Sequence, residues 1–100
     1  MRSTQIQLRH MAHSPALTQR IQELSQKLEE KNSRVMRCRV AVEAETHRAR
    51  KGRFYDVHVD VAVAGAPDCV ADRRHDEDVY VALRDAFDAT MRDPQFADEV

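Results

Sequence analysis

Arg34-Val35-Met36-Arg37-Cys38-Arg39-Val40-Ala41-Val42-Glu43-Ala44-Glu45 is the stretch that decides the fold. Its period is two. Met36, Cys38, Val40, Val42 and Ala44 fall on one side and Arg37, Arg39, Ala41 and Glu43 on the other, which predicts a strand with one buried face. Downstream, Tyr55, Val57, Val59, Val61 and Val63 alternate with Phe54, Asp56, His58, Asp60 and Ala62, giving a second long strand that pairs with the first as a hairpin. Between them runs His47-Arg48-Ala49-Arg50-Lys51-Gly52-Arg53, a basic loop in which Gly52 permits a turn with positive φ.

Upstream of the hairpin, residues 4–9 also alternate, with Gln5, Gln7 and Arg9 opposite Ile6, Leu8 and His10, as a short half-buried strand does. Ser14 then supplies an N-cap and Pro15 the first helical position, where a missing N–H costs nothing. Leu17, Ile21, Leu24 and Leu28 follow at helical spacing, so the helix runs to about Lys31 and ends near Asn32. Its other face carries Arg20, Glu23, Lys27, Glu30 and Lys31, a solvated mixture.

On the far side of the hairpin, Ala64-Gly65-Ala66-Pro67-Asp68 reads as a turn, and a brief fourth strand spans Cys69 to Asp72 or Arg73. Val79, Leu83, Ala86 and Phe87, with Thr90 or Met91, form the stripe of a second amphipathic helix. Asp76 or Asp78 caps its start, and Pro94 ends it at about Arg92. The order is β-α-β-β-β-α. Two helices with one apolar stripe each, and strands with one apolar face, bury most by packing both helices on one side of a four-stranded mixed sheet, an α+β fold. The first two strands are then parallel through a right-handed crossover, and the last three form an antiparallel meander. The opposite sheet face is left to water and includes Gln5, Gln7, Arg9, Arg37, Arg39, Phe54, Asp56 and His58. Residues 1–92 are expected to form one domain and residues 93–100 a frayed acidic tail, with Phe96 its last contact.

Composition sets the class. The chain has 100 residues, 42% of them hydrophobic and 33% charged, as in a soluble globular domain, with no apolar run of membrane length and no secretory leader. That makes the cytoplasm the expected location and free thiols the expected state of Cys38 and Cys69. The net charge of −1 hides a division: residues 1–53 carry 12 Lys and Arg against 5 Asp and Glu, and residues 54–100 carry 4 against 12. The basic half is either a footprint for a polyanion or one side of a mixed surface.

Catalysis finds little footing. The chain has two glycines and so no Gly-rich phosphate loop, and neither Ser14 nor Ser25 sits in a nucleophile-elbow context. The five histidines are scattered without metal-ligand spacing, and the Asp76-Glu77-Asp78 cluster is explained by the helix start it occupies. Nucleic acid is a better prospect, because Arg9, Arg37, Arg39, Arg48, Arg50, Lys51 and Arg53 fall in one strand-loop-strand region. Arginine on a sheet next to Phe54 can also stack on unpaired bases. The alternative is that Arg37 and Arg39 pair across strands with Asp56 and Asp60.

Several stretches in order carry a family resemblance: Arg9-His10-Met11, Ser14-Pro15-Ala16-Leu17, Lys27-Leu28-Glu29, Cys38 to Ala44, Arg50-Lys51-Gly52-Arg53, Tyr55-Asp56-Val57, and above all residues 77–88, from Glu77-Asp78-Val79-Tyr80 to Phe87-Asp88. Together they resemble the ribosome hibernation-promoting factor and ribosome-associated inhibitor family in its short, sigma-54 modulation protein-like form. The resemblance implies a fold likened to double-stranded-RNA-binding domains. It also implies a non-enzymatic role: occupying the messenger and transfer RNA channel of the small ribosomal subunit, with basic side chains on ribosomal RNA. Carried over residue by residue, the contacts would be Arg9, His10, Lys27, Arg37, Arg39, Lys51, Arg53, Tyr80 and Arg84, Tyr80 being equally readable as a half-buried core residue; Arg48 and Arg50 of the basic loop join this set. No catalytic residue, metal, cofactor, membrane or small-molecule substrate is implied. Any pairing of ribosomes would fall to a separate factor, because 100 residues leave no room for the second domain of long relatives. The chain departs from the family pattern at Asp93-Pro94, where relatives continue a basic helix, and in its near-neutral charge. A second reading is a regulatory protein-interaction module that keeps the fold without strong ribosome affinity.

Overall fold

A strand, β1 (Ser3–Arg9), leads into α1 (Pro15–Lys31), followed by β2 (Val35–Thr46), β3 (Arg53–Val63), β4 (Val70–Asp76), α2 (Val79–Arg92) and a last helical turn, α3 (Pro94–Ala97). This computed structural model describes residues 3–46, 53–66 and 69–97. The sheet order is β1-β2-β3-β4, with β1 parallel to β2 and the other pairs antiparallel. It is the mixed four-stranded sheet that the alternation predicts.

Both main helices pack on one face. Register places Val40 opposite Val59, Val42 opposite Val57 and Cys38 opposite Val61, and all six side chains are buried. Leu17, Ile21, Leu24 and Leu28 of α1 and Ala82, Leu83, Ala86 and Phe87 of α2 close over them. Burying each larger aliphatic side chain contributes about 1.5–3 kcal/mol, so this layer dominates the stability. Both helices begin as their sequences require. Ser14 Oγ accepts from Leu17 N–H at 3.2 Å, with Pro15 at the first helical position, and Asp78 Oδ1 accepts from Tyr80 N–H at 2.9 Å. At the β3 end, Gly65 takes φ +88, the left-handed conformation that favours glycine, and Ala64 N–H returns to Arg34 C=O at 2.8 Å.

Two features depart from what alternation predicts. Met36 is not a core residue. A bulge between Val35 and Arg37 makes Val35 the buried side chain and turns Met36 out to 61% exposure. The fourth strand runs three residues past Arg73, to Asp76, held by pairing with Tyr55, Asp56 and Val57 rather than by apolar alternation. Beyond α2, α3 carries the chain to residue 97: Gln95 N–H donates to Asp93 Oδ1 at 2.9 Å, and Phe96, the expected last contact, is buried at 2% exposure. Asn32, also buried, donates from Nδ2 to the Phe96 carbonyl at 2.8 Å and accepts from Arg34 N–H at 2.9 Å, clamping this turn to the corner after α1. Residues 98–100 lie outside the described residues.

Candidate nucleic-acid interface

The helices cover one face of the sheet, so the odd-numbered residues of β2 from Arg37 onward and the even-numbered residues of β3 are turned to the other. Register sorts this open face into rows. Gln5, Arg39, Asp60 and Ala71 form one; Gln7, Ala41, His58 and Arg73 the next; Arg9, Glu43, Asp56 and His75 a third. Ala41 is the small residue among larger ones. Above it Gln5, Gln7, Arg9, Arg39, His58 and Asp60 surround a shallow depression of about 410 Å³.

Within this face the charges are unevenly engaged. Arg73 holds Asp56 with both ends of its fork: Nε donates to Oδ1 at 2.9 Å and to Oδ2 at 2.8 Å, and Nη2 donates to Oδ2. The Arg73 guanidinium keeps the Asp56 carboxyl below the usual carboxylate range, and Asp56 in turn raises Arg73 above the usual guanidinium value. Arg39 Nε donates to Gln5 Oε1 at 3.1 Å and Arg9 Nη2 to Gln7 Oε1 at 2.9 Å. Among the described residues, none of Arg9, Arg37 and Arg39 forms an ion pair. Of the two cross-strand partners expected for Arg37 and Arg39, Asp56 is held by Arg73, and Asp60, which faces Arg39 in register, makes no ion pair among the described residues. The signal for Arg73 was present in the alternation of Ala71, Arg73 and His75, and was hidden by ending the strand too early.

The other expected contacts are distributed as follows. His10 follows β1 in the left-handed region, at φ 56, with Nε2 3.6 Å from Glu43 Oε2 on the open face. Lys27 and Arg84 are exposed on α1 and α2, in the layer behind the sheet, and Arg84 Nη2 lies 3.4 Å from Asp85 Oδ1. Tyr80 is 45% exposed on α2 rather than half-buried in the core, because the stripe of Val79, Leu83 and Phe87 turns it outward. Arg53 opens β3. Arg48, Arg50 and Lys51 lie outside the described residues. Phe54 stacks on His75, with ring centroids 5.0 Å apart.

Other chemistry has less to work with. Burial pushes the Cys38 thiol up, and Ser25 Oγ donates to its sulfur at 3.6 Å, so it sits as a packed thiol rather than a nucleophile. Asp76 Oδ1 accepts from Asp78 N–H at 2.9 Å, as befits a helix start. Among the described residues no three His, Cys, Asp or Glu side chains are grouped to hold a metal ion, and no helix is long and apolar enough to cross a membrane.

The chain is similar to known proteins along almost its whole length. The family described as Sigma 54 modulation protein / S30EA ribosomal protein matches residues 4–93. The N-terminal domain of Thermus thermophilus Protein Y superposes with a TM-score of 0.73 over 97% of each chain, at 15% identity. A ribosomal subunit interface protein from Coxiella burnetii superposes with a TM-score of 0.62 over 87% of each chain, at 14% identity. At such identities these two likenesses establish the fold. No curated protein matches the chain.

Proposed function

The chain belongs to the Sigma 54 modulation protein / S30EA ribosomal protein family, and on that premise we propose that it is a non-enzymatic hibernation factor of the cytoplasm that occupies the messenger and transfer RNA channel of the small ribosomal subunit. Membership supports ribosome association. The finer reading rests on one observation: Arg9, Arg37 and Arg39 share the uncovered sheet face, and none of the three is neutralised by a described carboxylate. Such guanidiniums meet phosphate without first giving up an ion pair, so the gain from counterion release is undiminished. Inhibition then follows from occupancy, with Lys27, Arg84 and His10 as further contacts and the loop arginines Arg48, Arg50 and Arg53, with Lys51, extending the footprint.

Cosedimentation with purified small subunits through sucrose, at low and moderate salt, tests this. The protein should travel with the subunit at low salt and be released as salt rises. Replacing Arg37 and Arg39 together by Ala should weaken binding about tenfold or more and lower the salt slope by one to two units, with circular dichroism unchanged. A folded protein that stays at the top of the gradient at both salts excludes the ribosome reading and favours the protein-interaction module.

A further inference from the structure

The two edges of the sheet are built differently. The edge left open by β4 carries Asp72, Arg73, Arg74, His75 and Asp76 in a seven-residue strand, and charges on an edge strand repel strands of other chains. The edge left open by β1, which among the described residues pairs with β2 alone, has one charged side chain, Arg9, at its very end. Gln5 and Gln7 are neutral and exposed on the open face. On the helix side Ile6 and Leu8 are only half-buried, and with Met11, His13 and Thr18 they line a groove of about 360 Å³ along this edge.

We infer that β1 is a self-association edge, on which a second copy of this chain lays its own β1 antiparallel about Ile6, joining two four-stranded sheets into one of eight strands. The strand is self-complementary in that register. A two-fold axis at Ile6, the middle of Ser3–Arg9, sets Ile6 against its own copy and Leu8 against Thr4 on the groove side. On the open side it sets Gln5 against Gln7, twice, so that amide meets amide and no like charges are opposed. All seven residues of the strand find a partner. The same operation on β4 has its axis at Arg73: it sets Asp72 against Arg74, but it brings two Arg73 guanidiniums, each already held by its own Asp56, face to face at the centre, so the pairing closes on β1 and stops at two chains. This inference is independent of ribosome binding.

Sedimentation velocity on the whole chain, up to about 1 mM, covers dissociation constants to that weak limit. The wild type should move with concentration from the chain mass of 11.5 kDa toward twice that value. Gln5→Glu with Gln7→Glu places like charges opposite each other across the axis and should remain at the chain mass throughout. Gln5→Glu with Gln7→Lys places opposite charges there and should dimerise at concentrations about tenfold lower than the wild type. Circular dichroism checks that both variants fold, and if one does not, the other decides. A wild type that stays monomeric to 1 mM overturns the inference. So does a dimer indifferent to both variants, or growth beyond two chains.

Discussion

One sheet presents two faces of opposite character, and the comparison is sharpest along β3. Val57, Val59, Val61 and Val63 turn toward the helices and are buried, whereas His58 and Asp60, from the same strand, turn toward water. The covered face is uniform because burial rewards area and fit alone. The open face mixes Arg9, Arg37, Arg39 and Arg73 with Glu43, Glu45, Asp56 and Asp60; Arg73 holds Asp56, and charges left in water add little to stability, since even an exposed ion pair is worth only ~0–1 kcal/mol. Charges there are therefore chosen under little pressure from folding and are available for recognition. Most of the stability therefore comes from the covered face, and the proposed binding is assigned to the open one.

Phe87→Ala should break the covered face hardest. The ring is fully buried, and its removal should cost about 3–5 kcal/mol, a large share of what holds a small domain together. Urea denaturation measures this, and a loss under ~1 kcal/mol would mean that α2 does not seal the core. On the open face the strongest structural element is Asp56 with Arg73. Because Arg73 lowers the Asp56 pKa in the folded state, the pair contributes stability above the unfolded carboxylate value of about 4, and that contribution disappears as pH falls through the folded value. Asp56→Asn should therefore be less stable than wild type at pH 7, and the gap should narrow as pH falls below about 4 toward the folded value. A gap that does not change with acidification would place the effect in packing rather than charge. Met36→Lys should change stability least, within ~0.5 kcal/mol, because the bulge holds this side chain in water. A large loss would return Met36 to the covered face, where simple alternation put it.

The same contrast explains what could be read from the sequence. The hairpin, both helices and the sheet order were legible because Val, Leu and Ile at fixed spacing report burial directly. Met36 was misassigned because alternation assumes an uninterrupted ladder, and a bulge leaves no apolar signature. The end of β4 was lost because Arg74 and Asp76 stand on an edge strand, whose residues report pairing rather than burial. Tyr80 was ambiguous because a helix stripe has margins, and it lies just beyond one. Of the candidate contacts, Arg9, Arg37 and Arg39 could be placed on one face by period alone. Lys27 and Arg84 could not be related to them, since no local pattern says which layer a helix joins.

The Asn32 clamp on Phe96 has a consequence for how the chain comes to be folded. The bond joins residues 64 positions apart, so both α1 and the whole sheet must be made before its acceptor exists. During synthesis, everything from β1 to α2 emerges with a buried amide still lacking its partner and a site for the Phe96 ring still open. Closing so long a loop carries more entropic cost than any hairpin in the sheet. The last turn therefore locks rather than nucleates: its contacts should act on the rate of unfolding more than on the rate of folding.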